Sequence, residues 1–125
     1  VAAARTGQQV HFLNSDPTKH NVHAESKASK GFNRSLSRKG TKAEVVLSGP
    51  ELGIQVTCDI HPWMVGYLSI FDHPFFVVTG EDGAFEFKGL PPGEYEIEAW
   101  HETLGTRSQR VRLVPSGIES VDLSF

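Results

Sequence analysis

Cys58-Asp59-Ile60-His61-Pro62-Trp63-Met64 gathers a thiol, an imidazole and a thioether within one short segment, and the chain has no other cysteine and no other methionine. Such donors suit copper, which has to be held acceptably as both Cu(I) and Cu(II). Thiolate and thioether favour the reduced ion, and imidazole serves both. Two histidines and a cysteine in a trigonal plane, with a weak axial methionine, are the ligands of a copper electron-transfer site. The segment supplies one histidine, so the second must come from elsewhere. The chain has six histidines, and His20 is the best candidate because it follows the polar turn Asn14-Ser15-Asp16-Pro17 and opens a strand-like run. Taken singly, Cys58 reads as a small buried hydrophobe, Met64 as core filler and His61 as a surface residue before a proline. In C-x-x-H-P-x-M order at a strand end they are far more specific, because that order brings three ligands around one point. A lone cysteine cannot close an internal disulfide and is free to ligate.

The elements that must hold these residues read as strands. Gln9–Leu13 alternates Val10 and Phe12 against His11 and Leu13. His20–Ala24, Lys42–Leu47, Gly53–Cys58 and Val65–Phe71 read as further strands, the last two flanking the sulfur-bearing segment. Residues 25–40 are rich in Ser, Lys, Gly and Asn and read as a long surface loop with local positive charge from Lys27, Lys30, Arg34, Arg38 and Lys39. Beyond them, strands are expected over 75–79, around Phe85 and Phe87, over 95–101, over 110–114 and over 118–125. Glu81-Asp82-Gly83 and Leu90-Pro91-Pro92-Gly93 are the turns between them. No segment longer than two turns has helical periodicity, so the expected class is an all-β sandwich.

Composition narrows the partners. The chain has 125 residues and a net charge of −3, enough for one domain or one domain with an extension, and a poor match to nucleic acid. No apolar run approaches the length of a membrane span. The start at Val1-Ala2-Ala3-Ala4, without a methionine, suggests a trimmed product and leaves export open.

His20-Asn21-Val22-His23, followed by Cys58 through Met64 and Gly66, resembles the type 1 copper signature of the cupredoxins. It is most similar to the amicyanin group, which has a His-Asn-Val-His segment and an equally short Cys-x-x-His-Pro-Phe-Met loop. Gly7 through Asn14 also resembles the strand that leads to the first ligand in that family. The resemblance covers residues 1–72. It implies a Greek-key β-sandwich holding one copper per chain, with His20, Cys58 and His61 equatorial, Met64 axial and Asn21 tying the two ligand segments together. It further implies one-electron transfer without enzymatic activity. Electrons would leave at His61 beside Pro62 and Trp63, toward a transient partner of the cytochrome c or dehydrogenase type, in the periplasm or another extracytoplasmic space. His23 has a counterpart in the amicyanin group and is read as structural.

Two departures from that pattern stand out. The family's usual N-terminal strand is missing from the reading, so an edge is left for the extension, a longer precursor or a second subunit to cover. The chain also continues for more than fifty residues past the strand that ends small cupredoxins. In that extension, Thr79 through Tyr95 resembles the carboxypeptidase regulatory-like repeat, a small prealbumin-like β-sandwich. Residues 73–125 are therefore read as a β extension merged with the first part. The combination resembles bacterial plastocyanin-like proteins, some of them labelled methylamine-utilisation proteins. Within the extension, His73 and His101, with Glu102, form a candidate second metal site. Asp16, Asp59 and Asp72 are read as turn and cap residues. The alternative to electron transfer is a copper chaperone or storage module, although the chain lacks the clusters of methionine or histidine such a role would use. A redox enzyme would need a second, open metal site, and no Ser/His/Asp set or paired carboxylates are evident.

Overall fold

A computed structural model describes residues 1–125. Nine strands form and no helix: β1 (Ala2–Arg5), β2 (Gln9–Leu13), β3 (His20–Ala24), β4 (Phe32–Leu36), β5 (Lys42–Val46), β6 (Glu51–Thr57), β7 (Val65–Phe71), β8 (Gly93–His101) and β9 (Gly105–Leu113). The chain divides into two compact units, Val1–Phe85 and Glu86–Phe125.

The first unit is an all-β sandwich of two sheets. One has five strands in the order β1-β7-β6-β3-β4, and the other pairs β2 with β5. After the β3–β4 hairpin the chain crosses to β5 and returns to lay β6 against the other side of β3, which is a Greek-key path. β1 lies parallel to β7, with Ala2 opposite Leu68 and Arg5 opposite Phe71. The inner faces of both sheets share one core, built from Ala4, Ala24, Phe32, Val45, Leu47, Ile54, Leu68 and Ile70. Val10, Phe12, Val22 and Val56 pack against it. Each large side chain taken out of water there contributes about 1.5–3 kcal/mol, which makes this core the rigid base for the loops at its end. A register shift between Glu51 and Ile54 in β6 falls where Gly53 has φ +69°. That conformation is open to glycine, and the Ser69 hydroxyl accepts the Gly53 N–H at 3.0 Å.

Two sequence expectations fail in this unit. Residues 25–40 are not a loop throughout, because β4 forms inside them and pairs with β3 from His20↔Leu36 to Ala24↔Phe32. Its sequence Phe-Asn-Arg-Ser-Leu buries only its two ends, so it looks polar when read along the chain. Residues 75–79 form no strand. Phe76 instead stacks on Phe71 with ring centroids 4.7 Å apart, and the Phe75 N–H donates to His73 Nδ1. Alternation makes a strand only where a neighbouring backbone offers a ladder.

The second unit is a β8–β9 hairpin, in register from Gly93↔Leu113 to His101↔Gly105. Gly105, with φ +80°, takes the left-handed conformation at the turn. Tyr95, Ile97 and Ala99 share one face with Val111 and Leu113, while Glu94 and Glu96 oppose Arg112 and Arg110 on the other. No residue from 86 to 125 is fully buried. β9 begins at Gly105, earlier than the expected Arg110, and neither the Phe85–Phe87 stretch nor residues 118–125 form the expected strands.

Candidate metal centre

The first ligand candidate is set by a stapled turn. Asn14, 3% exposed, donates from Nδ2 to the carbonyls of Thr18 (2.8 Å) and Leu36 (3.1 Å). Its Oδ1 accepts the Asp16 N–H at 2.8 Å. The turn thus delivers His20 as the first residue of β3, 8% exposed, and places the Asp16 carboxylate 2.9 Å from His20 Nε2. With the proton held on Nε2 by that carboxylate, Nδ1 presents a lone pair to the interior. This is the usual arrangement of a metal-binding histidine.

The other candidates come from the loop joining β6 to β7. It closes on itself through Cys58 N–H to Met64 O at 3.3 Å and Met64 N–H to His61 O at 2.9 Å. Cys58 Sγ lies 3.9 Å from His20 Nδ1 and 3.7 Å from His61 Nδ1, and the two nitrogens are 3.1 Å apart. A trigonal centre with metal–nitrogen bonds of ~2.0 Å and a metal–sulfur bond of ~2.3 Å would place nitrogen and sulfur ~3.7 Å apart and the two nitrogens ~3.5 Å apart. The three donors therefore fit one ion. They are the one group of three or more His, Cys, Asp or Glu side chains arranged to hold a metal. Met64 sits in the same closed loop and is 37% exposed.

The electrostatics suit a thiolate. Burial pushes the Cys58 thiol up, but the Asn21 backbone N–H, the His20 imidazole and the N–H groups of Ile60 and His61 overcome it and bring the pKa down to about 6. His20 is raised, first by its contact with Cys58 and then by Asp16, against the opposing effect of burial.

A second layer fixes the loop to β3 and β4. Asn21 Oδ1 accepts the Asp59 N–H at 2.7 Å, and Asn21 Nδ2 donates back to Asp59 Oδ2 at 2.8 Å. Asn33 Nδ2 reaches the same oxygen at 3.0 Å, and His23 Nδ1 lies 2.9 Å from Asp59 Oδ1. Asn21 thus bridges the two ligand segments, and Asp59 is the hub that also gathers His23 and Asn33. Sequence reading took Asp16 and Asp59 for turn and cap residues. Their second role had no mark in the chain beyond lying four residues before His20 and one after Cys58.

His73 and His101 fall in different compact units. His73 Nδ1 accepts the Phe75 N–H at 3.2 Å, and His101 Nδ1 accepts the N–H groups of Thr103 and Leu104 at 3.2 and 3.3 Å. Both rings cap turns through Nδ1. His11, expected to be solvated, is half exposed and faces Glu44 at 3.4 Å.

Fold and site together define a class: an all-β sandwich whose His/Cys/His cluster, with Met64 in the same loop as Cys58 and His61, has the donor set of a type 1 copper centre. The chain is similar to a purple cupredoxin from Nitrosopumilus maritimus, with 26% identity over 54% of this chain and 74% of that one and a TM-score of 0.46. It is also similar to a copper-containing nitrite reductase from Thermus scotoductus SA-01, with 20% identity, a TM-score of 0.49 and coverage of 55% of this chain but 18% of the reductase. No family model and no curated protein matches the chain.

Proposed function

We propose that the first unit is a mononuclear type 1 copper protein that carries single electrons between redox partners. His20, Cys58 and His61 are its equatorial ligands and Met64 its axial ligand. The observation that carries this reading is the convergence of Cys58 Sγ, His20 Nδ1 and His61 Nδ1 on one point, beside a thiol already poised to ionise. Bound copper supplies a centre that cycles between +1 and +2. The chain supplies the rest. β3, β6 and β7 fix the ligands from three neighbouring strands of one sheet, so little must move when the charge changes. Asp16 orients His20, and Asn21 with Asp59 ties the loop to β3.

Around His61 lies an apolar rim. Trp63 is 77% exposed, with its ring centroid 5.3 Å from that of His61, and Ile60 stands beside them, 46% exposed. That rim with Pro62 suits a small, transient contact with a redox protein, of the kind that buries less than about 1,200 Å². A partner of the cytochrome c or dehydrogenase type, met outside the cytoplasm, is consistent with this use.

Adding one equivalent of Cu(II) to purified protein tests the proposal. An intense visible absorption from the Cys58 thiolate, bleached by one electron per copper, is expected. A colourless product would end the proposal. Copper that binds and passes slowly to an acceptor without exchanging electrons would favour a chaperone or storage role instead.

A further inference from the structure

On an acidic chain, one segment has the opposite charge. Residues 25–40 carry Lys27, Lys30, Arg34, Arg38 and Lys39 against the single acid Glu25, while the whole chain has a net charge of −3. β4 runs through this segment as the outer strand of the five-stranded sheet. Between it and β5 lies an open cleft of about 490 Å³, lined among others by His23, Lys30, Asn33 and Arg34. Two acids also line it, and both are engaged. Glu44 pairs with Lys42 at 2.7 Å and faces His11 at 3.4 Å, and Glu25 lies 3.6 Å from His23 Nε2. Lys30 and Arg34 are exposed and have no carboxylate partner; Arg34 Nη1 donates only to the Asn33 carbonyl. With Lys42 balancing Glu44, the positive charge of this edge comes from the segment as a whole, in which Lys27, Arg38 and Lys39 add to Lys30 and Arg34 against Glu25.

Two residues that line the cleft, His23 and Asn33, connect it to the metal centre: both bond the Asp59 carboxylate, at 2.9 and 3.0 Å. Asp59 is covalently joined to Cys58. The route from the cleft to the sulfur is one hydrogen bond followed by the covalent bonds of adjoining residues, and it does not pass through His61 or the apolar rim. A positive patch on an acidic protein also orients an approaching anionic surface and raises its encounter rate.

We propose that the β4–β5 cleft is a second docking site for the carboxylate-rich face of an acidic redox protein, and that electrons pass there through His23 or Asn33, Asp59 and Cys58. This rests on the copper reading above. The reduced protein gives one electron to its acceptor; no bond forms or breaks, and no proton moves.

Two measurements test it, one of them independent of copper. Hexacyanocobaltate(III), a redox-inert trianion, is titrated into copper-free protein while backbone amide shifts are followed, with hexaglutamate and inorganic phosphate as competitors. Shifts centred on residues 23 and 30–34, reversed by hexaglutamate and absent from the Lys30→Glu/Arg34→Glu variant, support the site. Shifts centred on Arg107–Arg112 or on the His61 loop overturn it, as does displacement by phosphate but not by hexaglutamate, which would make the cleft a small-anion site. In the second measurement the reduced, copper-loaded protein is oxidised by hexacyanoferrate(III) and, separately, by the cationic tris(phenanthroline)cobalt(III). Reversing both charges should slow the anionic oxidant on the order of tenfold, should not slow the cationic one, and should leave the visible spectrum unchanged. A blue variant with an unaltered hexacyanoferrate rate overturns the docking site while leaving the copper assignment standing. Wild-type protein that takes up no copper overturns that assignment instead, and the shift titration still decides whether the cleft binds anions.

Discussion

The two compact units are made from the same kind of strand and differ in what the strands can hide. In the first, two sheets face each other and enclose a core in which Leu47 is 1% exposed and Leu68 and Ile70 are each 2% exposed. In the second, a hairpin of two nine-residue strands has an apolar face of Tyr95, Ile97, Ala99, Val111 and Leu113, and buries none of them completely. Two strands without a covering layer are marginal in water. His20, Cys58, His61 and Met64 all lie on the unit with the core. A metal centre that must keep its geometry through a change of charge needs side chains locked by packing, and only that unit supplies them.

The sharpest way to break this contrast is at the thiol. Cys58→Ser should abolish the visible absorption of the copper-loaded protein completely, and Trp100→Ala in the hairpin should leave it intact, as read by absorption with copper quantitation. Loss of colour in the hairpin variant would show that the two units are not separable in function. Next in size is the core. Leu47→Ala should cost about 2–5 kcal/mol and Ile97→Ala no more than about 1 kcal/mol, measured by chemical denaturation of copper-free protein. Equal costs would mean that the hairpin face is as well covered as the sandwich core. Asn21→Ala removes the bridge between the ligand segments. It should cost about 1 kcal/mol and speed copper loss to a chelator while leaving hairpin amide exchange unchanged.

The smallest effect is a pH dependence confined to the first unit. Asp59 first, then Glu25, raises His23 above its ordinary 6.5, and His23 first, then Asn33 and Asn21, lowers Asp59 below 3.8. The contribution of His23 is complete below about 6.5 and fades as pH rises through its raised value. That of Asp59 is complete above about 3.8 and fades as pH falls through its lowered value. The Tm difference between copper-free wild type and His23→Gln should therefore be greatest between those limits and shrink toward alkaline pH. A difference that grew with pH would show that the ion pair does not form.

How much of this was legible depended on how unusual each residue was. Cys58, His61 and Met64 stood out because thiol, imidazole and thioether rarely fall so close together, and His20 because a polar turn delivered it to a strand. Asp16 and Asp59 were hidden, since aspartates beside turns are common and only the fold brings their carboxylates to His20 and Asn21. Strands β3, β5, β6 and β7 announced themselves by alternation or apolar content. β1 did not, because the run Ala2-Ala3-Ala4 has no alternation to read, and β4 did not, because three polar residues separate its two buried ends. The expected strands at 75–79 and 118–125 failed for the converse reason: the pattern was present and a backbone partner was not.

The parallel pairing of β1 with β7 also sets an order of events during synthesis. Ala2–Arg5 cannot find their partner until Phe71 has left the ribosome, so β1 waits through the emergence of every later strand in the sandwich. Long-range parallel pairing of this kind slows folding. Meanwhile Cys58 emerges before β7, the strand that closes its loop, and remains an open thiol. Vectorial synthesis thus leaves an interval in which the nascent chain is most vulnerable to oxidation and to stray metals. The interval ends when the strand that completes the sheet also shuts the copper loop.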